Sequence, residues 1–262
     1  MSGEANKRCA PCREPDSRLV RDVRASLNIG ERRNGGRPDF LILHYTGLES
    51  AARSIEVLCD PICQVSCHYL VDVDGAITQM VREADRAWHA GLSFWKGETD
   101  LNSWSIGIEI QNPGHASGYP GFPVGQMDAV EALSREILAR HGIPPHHVLA
   151  HSDVAPQRKI DPGEKFDWQR LHRAGIGHWV PPRPPDGASD RAYDQAAADE
   201  QVRACQRLLA IYGYDVAVDG LWTTEARRVI AAFQRHFRPQ RVDGVPDRST
   251  IATLEDLIAA LT

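Results

Sequence analysis

The chain has no long apolar run. Nothing in it approaches the roughly 18–20 uninterrupted apolar residues that a membrane-crossing helix needs, so no segment reads as a transmembrane span. It also lacks a secretory leader pattern. Lys7, Arg8, Arg13, Arg18, Arg21 and Arg24 make a basic start, but no apolar stretch follows them. On that ground the expected location is the cytoplasm, unless a leader lies outside this chain or export takes another route. Positive charge is not in excess: 30 basic residues face 35 acidic ones, which excludes nucleic acid or an anionic membrane as the main partner. There is no H-E-x-x-H stretch, so any metal site has to be assembled from distant parts of the chain. A four-thiolate zinc site is not evident either. Cys9 and Cys12 form a lone C-x-x-C; Cys63 and Cys67 would be its second pair only in a helix, which Pro61 disturbs. With Cys59 and Cys205 these thiols read as free, in keeping with a reducing compartment.

What is present is enough for two domains. The 262 residues are 42% apolar and 25% charged, ordinary for a globular protein able to bury a core without disulfides. The break falls at 180–198, where Pro181, Pro182, Pro184 and Pro185 precede Asp186, Gly187, Ala188 and Ser189, the composition of a semi-stiff linker. Residues 1–38 read as a solvated arm, 39–179 as a large domain and 199–262 as a small one.

In the large domain, Phe40 to Leu43 is a short apolar run ending in His44, as a strand buried on both faces would be. Glu49 to Leu58 has a helical pattern. Asp74-Gly75, between apolar segments 68–73 and 76–80, signals a hairpin. In Ser105 to Ile110 the isoleucines face one way, while Gly107 and Glu109 face the other. Gln126 to His141 repeats apolar residues near 3.6 and closes at Gly142. Val148 to Ala150 is a further apolar strand, followed by His151. Strands mixed with helices predict an α/β or α+β layered domain.

Two strand-end histidines, His44 and His151, and Asp161 ten residues further on form a possible metal set. Two neutral imidazoles and one carboxylate suit catalytic zinc, with a fourth position left for water. Asp161 precedes Pro162, which favours an extended backbone and sends Lys159 to the same side. Each residue also has a plain structural reading, and spacing alone does not decide between the two. Glu109 is either a solvated edge residue or a general base aimed from the sheet. Lys159 is either a surface lysine or a fixed positive charge for an oxyanion. Trp88 either stacks on a sugar or packs in the core, and His89 either lines a groove or serves structure.

The text around these residues resembles a known family. Leu43-His44-Tyr45-Thr46, Arg86-Ala87-Trp88-His89-Ala90-Gly91, the N-S-W-S-I-G-I-E-I run from Asn102 to Ile110, His151-Ser152-Asp153 and Arg158-Lys159-Ile160-Asp161-Pro162-Gly163 look like type-2 N-acetylmuramoyl-L-alanine amidases. The resemblance covers about 39–179. It implies a central mixed sheet flanked by helices, with zinc (Zn2+) in a surface groove. It further implies that His44, His151 and Asp161 bind the metal, that Glu109 is the catalytic carboxylate and that Lys159 assists. Cys67 stands where the family usually has a smaller residue.

The small domain carries an internal echo: Val218-Asp219-Gly220 returns as Val242-Asp243-Gly244, 24 residues later. Helices are predicted over 199–212, 223–237 and 248–261, with Thr223 and Asp247 as caps. Gln206 to Leu209, Tyr212-Gly213-Tyr214 and Ala232-Phe233-Gln234 give a resemblance to the type 1 peptidoglycan-binding domain, a three-helix module. A dimerisation or packing role is its structural alternative. The expected function is hydrolysis of the bond between (anhydro-)N-acetylmuramic acid and L-alanine in peptidoglycan or muropeptides, with the small domain as a flexible tether that adds nothing to cleavage. The competing readings are a non-catalytic recognition protein and a zinc peptidase acting within the stem peptide. A wall-binding module favours the periplasm over the cytoplasm, so the compartment stays open.

Overall fold

The computed structural model describes residues 14–184 and 195–261; the Cys9/Cys12 pair and most of the expected linker lie outside them. The strands are β1 (Val20–Val23), β2 (Ile29–Gly30), β3 (Phe40–Tyr45), β4 (Tyr69–Val71), β5 (Ile77–Gln79), β6 (Arg86–Ala87), β7 (Ser105–Ile110) and β8 (Val148–Ala150). The helices among them are α1 (Ala51–Cys59), α2 (Leu101–Trp104), α3 (Val124–His141), α4 (His151–Val154) and α5 (Trp168–Arg173). Six strands form one mixed sheet in the order β1-β5-β4-β7-β3-β8. β3 runs parallel to both β7 and β8, while β4 and β5 form the antiparallel hairpin. Gly75 makes that hairpin possible: its φ of +82° is one an L side chain rarely adopts.

Alternation along the strands sends side chains to two different destinations. Leu41, Leu43, Ile106, Ile108 and Ile110 join Met127, Val130, Leu133 and Ile137 of α3 in one core. Burying each of those large side chains is worth about 1.5–3 kcal/mol, so this layer holds α3 to the sheet. The opposite face carries Phe40 and Ile42, then His44 and Glu109 at the carboxyl ends of β3 and β7.

Three more helices follow: α6 (Gln195–Tyr212), α7 (Thr224–Phe237) and α8 (Arg248–Ala259). Thr223 caps α7 by accepting from Ala226 N–H, and Asp247 caps α8 by accepting from Thr250 N–H. The repeated Asp-Gly turns share one fastening. Gln206 of α6 accepts from the N–H groups of Asp219 and Gly220 and donates to the Asp219 carboxylate. Gln234 of α7 does the same for Asp243 and Gly244.

Two expectations are corrected. The stretch expected to be a solvated arm is, from residue 14 onward, part of the large domain. β1 pairs with β5 at the edge of the sheet, and Arg32 is buried, donating to the carbonyls of Glu83, Ser103 and Ser105. Val20-Arg21-Asp22-Val23 has no apolar alternation because its ladder is a backbone matter, so composition does not show it. The flexible tether is also corrected. Helices α6 to α8 share one continuous apolar cluster with the large domain, which includes Phe40, Ile42, Trp95, Leu149 and Val154. Trp95 meets the rings of Tyr212 and Tyr214, and Lys96 N–H donates to Gly213 O at 2.9 Å. The first residues of the expected linker are themselves docked: Arg183 N–H donates to Thr253 and its guanidinium pairs with Asp256. α6 also begins inside the expected linker, at Gln195. No helix among the described residues is long and apolar enough to cross a membrane.

Candidate active site

β3 and β7 lie side by side in parallel, and His44 is the register partner of Glu109. Parallel neighbours in register share a face, so both side chains leave the sheet together at its carboxyl edge, where open α/β sheets place ligands. β8, on the other side of β3, hands the chain directly to α4, whose first residue is His151. The loop beyond returns Asp161 to the same point, with Ser152 N–H donating to Asp161 O at 3.0 Å.

The three candidate ligands converge. His44 Nδ1 and His151 Nδ1 are 2.8 Å apart, and Asp161 Oδ2 lies 2.9 Å from His151 Nδ1 and 3.4 Å from His44 Nδ1. All three residues are buried, and their ligand atoms fall within 4.8 Å of one another. Hydrogen bonds behind them settle which nitrogens carry protons when the rings are neutral. Ser105 Oγ donates to Leu101 O, so the His89 Nε2 facing it at 3.1 Å is a donor. His89 Nδ1 is then an acceptor and takes the Nε2 proton of His44 at 3.0 Å. That leaves His44 Nδ1 a bare lone pair. Among the described residues His151 Nε2 faces only the Ala90 carbonyl, at 3.3 Å, so it carries the proton and His151 Nδ1 is bare as well. Two lone pairs and a carboxylate oxygen thus point at one another with no hydrogen between them, an arrangement that fits a cation.

Electrostatics agree. Burial, and next to it His151, holds His44 at about 4, so its ring is neutral at pH 7 as ligation requires. Burial, then His44, pushes His89 well below the ordinary histidine value. Burial works against the charge on Asp161; the charge and hydrogen bonds of His151 and His44 in their protonated form outweigh it and keep that carboxyl well below the usual range, a part that a cation would take over when both rings are neutral. Glu109 goes the other way: burial, then Asp161, raises it well above an ordinary glutamate, with Lys159 opposing. Its Oε2 is shielded and has no hydrogen-bond partner among the described residues.

His89, Glu109, His151 and Asp161 line a groove of about 340 Å³ together with Trp88, Lys159 and Ile160, while His44 is fully buried and not on its wall. Trp88 is half-buried, and its indole nitrogen has no hydrogen-bond partner among the described residues. His89 is nearly buried and sits over Gly107, where a Cβ would come within 2.5 Å of its ring. Asn102 fixes that loop by accepting from the N–H groups of His89 and Ala90. Composition had pointed to neither Asn102 nor Gly107 as serving His89, although both stand in the Asn102–Ile110 motif. Tyr45 and Arg158 also reach the groove; Arg158 donates to the Ala90 and Leu92 carbonyls, and Tyr45 contacts His115. Cys63 is exposed and Cys67 buried, and both are free.

Residues 34–164 match the family model of N-acetylmuramoyl-L-alanine amidases, and residues 198–254 match that of a putative peptidoglycan-binding domain. A relative from Escherichia coli (strain K12), N-acetylmuramoyl-L-alanine amidase AmiD, is 41% identical over 233 residues, 83% of this chain and 81% of that one. The chain belongs to the N-acetylmuramoyl-L-alanine amidase family. The solved E. coli AmiD, in complex with the substrate anhydro-N-acetylmuramic acid-L-Ala-D-γ-Glu-L-Lys, superposes with a TM-score of 0.71, covering 86% of this amidase and 90% of that chain at 41% identity. AmpDh3 from Pseudomonas aeruginosa gives a TM-score of 0.72 at 33% identity, covering 87% of this chain and 94% of that one. Both alignments extend beyond the family's catalytic segment, so the mixed sheet and the helices after it are shared with these relatives.

Proposed function

We propose that this amidase is zinc-dependent and hydrolyses the amide between N-acetylmuramic acid, its 1,6-anhydro form included, and the L-alanine of the stem peptide. The observation that carries the metal assignment is the convergence of two proton-free Nδ1 atoms and the Asp161 carboxylate. The sugar form rests on the substrate held by the E. coli relative. His44, His151 and Asp161 would hold the zinc, which when bound would supply Lewis acidity toward the scissile carbonyl and toward water near neutral pH. Glu109 then has a defined task. Its unpartnered Oε2, beside the ligand cluster, accepts a proton from the attacking water and delivers it to the departing nitrogen of L-alanine. A raised carboxyl pKa suits it to hold that proton between the two transfers. Lys159 places a positive charge on the groove wall, where negative charge grows on the carbonyl oxygen. His89 acts through His44, keeping its ring in the ligating tautomer. Trp88 forms an apolar wall for the substrate.

The reaction is tested by mass spectrometry of digested anhydromuropeptides. Products that begin with a free L-alanine amine are expected; cleavage inside the stem peptide would replace this reading with a peptidase. Lys159→Met is expected to lower turnover about 10²-fold while zinc content stays at one per chain, because its charge acts mainly in the transition state. Equal turnover in the zinc-loaded variant would remove Lys159 from the mechanism.

A further inference from the structure

One buried carboxylate beside the ligand cluster serves neither the groove nor solvent. Asp153, two residues after His151 in α4, is fully buried. Its Oδ2 accepts from Ala150 N–H at 2.8 Å and from His236 Nδ1 at 2.6 Å, and its Oδ1 accepts from the Tyr214 hydroxyl at 2.6 Å. Tyr214 follows α6, and His236 stands in the last turn of α7, with its ring stacked 3.7 Å from that of Trp168. Both donors therefore come from the three-helix unit.

α4 has four residues, too few to hold a helix by its own hydrogen bonds. Its placement depends on what grips it from outside. Three grips are Ser152 N–H on the Asp161 carbonyl, Phe94 N–H on the Val154 carbonyl at 2.9 Å, and Asp153 in the grasp of Tyr214 and His236. A buried carboxylate that loses a donor is strongly unfavourable, so the helix shifts rather than leave it bare. The shift would carry His151, which opens the same turn. A second contact from α7 reaches the groove by another route. Arg235 lies 3.9 Å from Glu164, Glu164 pairs with His115, and His115 meets Tyr45 on the groove wall.

We infer that Tyr214 and His236 are positioning residues for the metal site: through Asp153 they fix α4 and with it His151, so the three-helix unit supplies part of the active-site architecture. This rests on the reading of His44, His151 and Asp161 as ligands. The simpler possibility is that the bonds to Asp153 only fasten the two parts together.

The test uses the full chain with Tyr214→Phe, His236→Phe and His236→Asn. The Phe variants keep the rings and remove one donor each; the Asn variant retains an amide donor near the position of Nδ1. Zinc affinity is read by competition with a chromophoric chelator, and amide exchange at Ser152 and Ala155 is read in zinc-free protein. Each Phe variant is expected to weaken zinc binding about 10- to 100-fold, the range for lost support of a ligand, with His236→Asn restoring most of it. Exchange at Ser152 and Ala155 is expected to speed up while amides within α7 keep their protection. Unchanged zinc affinity and unchanged exchange at those two amides overturn the inference. So does equal loss of protection throughout α4 and α7, the signature of a fastening alone. A wild-type chain that takes up no zinc defeats the metal reading, and the exchange experiment still decides whether Tyr214 and His236 position α4.

Discussion

Glu109→Gln is expected to keep zinc and fold yet lose about 10²- to 10⁴-fold in turnover, the scale of a positioned acid–base group. The change is nearly isosteric and removes the ability to take up and return a proton. It leaves the ligand set alone, because the nearer contacts of His44, His151 and Asp161 are to one another and to His89 and Ala90. Asp161→Ala should behave differently. It strips the only carboxylate from the cluster and leaves two bare imidazole nitrogens facing each other, so both metal and activity should be lost. Zinc analysis beside single-turnover rates separates the two variants. Near-normal turnover in zinc-loaded Glu109→Gln protein removes Glu109 from the chemistry, and full zinc in the Asp161→Ala protein removes Asp161 from the ligand set.

Much of this arrangement is visible along the chain, for a physical reason. His44 and His151 end apolar strands, and a strand buried on both faces writes itself as a continuous apolar run with a conspicuous polar end. Glu109 stands out because it interrupts one face of a strand whose other face is isoleucine. Helix α3 and the caps at Thr223 and Asp247 are local features, so local pattern finds them. What escaped is long-range. β1 joins the sheet through backbone bonds that leave no trace in side-chain pattern. The place of His89 depends on Gly107 and Ser105, on a strand sixteen or more residues away, leaving it space and an acceptor. The docking of the helices escaped for a related reason. Trp95, Tyr212 and Phe233 read equally well as core of their own domains, and only the fold shows them in one cluster. Proline-rich composition marks a boundary in the sequence but does not say whether the parts on either side touch.

A chain ending at Arg183 should therefore fail in a way that a tethered module would not cause. Removing α6 to α8 uncovers Trp95, which is 1% exposed, and Trp168, which is 4% exposed, along with the apolar cluster around Phe40 and Ile42. Each large side chain returned to water costs roughly 1.5–3 kcal/mol, so the loss reaches the order of 5 kcal/mol, set against a total stability of about 5–15 kcal/mol. Asp153 loses two of its three hydrogen-bond donors at the same time. The expected outcome is a marginal, aggregation-prone protein that is slow even on a small soluble anhydromuropeptide, where a polymer-binding module has no part to play. Urea unfolding of the shortened and full chains, followed by turnover of that substrate at matched zinc loading, makes the measurement. A shortened chain that unfolds at the same midpoint and cleaves the small substrate at the full rate, while losing only its hold on insoluble sacculi, would return α6 to α8 to the role of a tether. A loss of both activities, with the midpoint lowered in step, places those helices inside the catalytic structure.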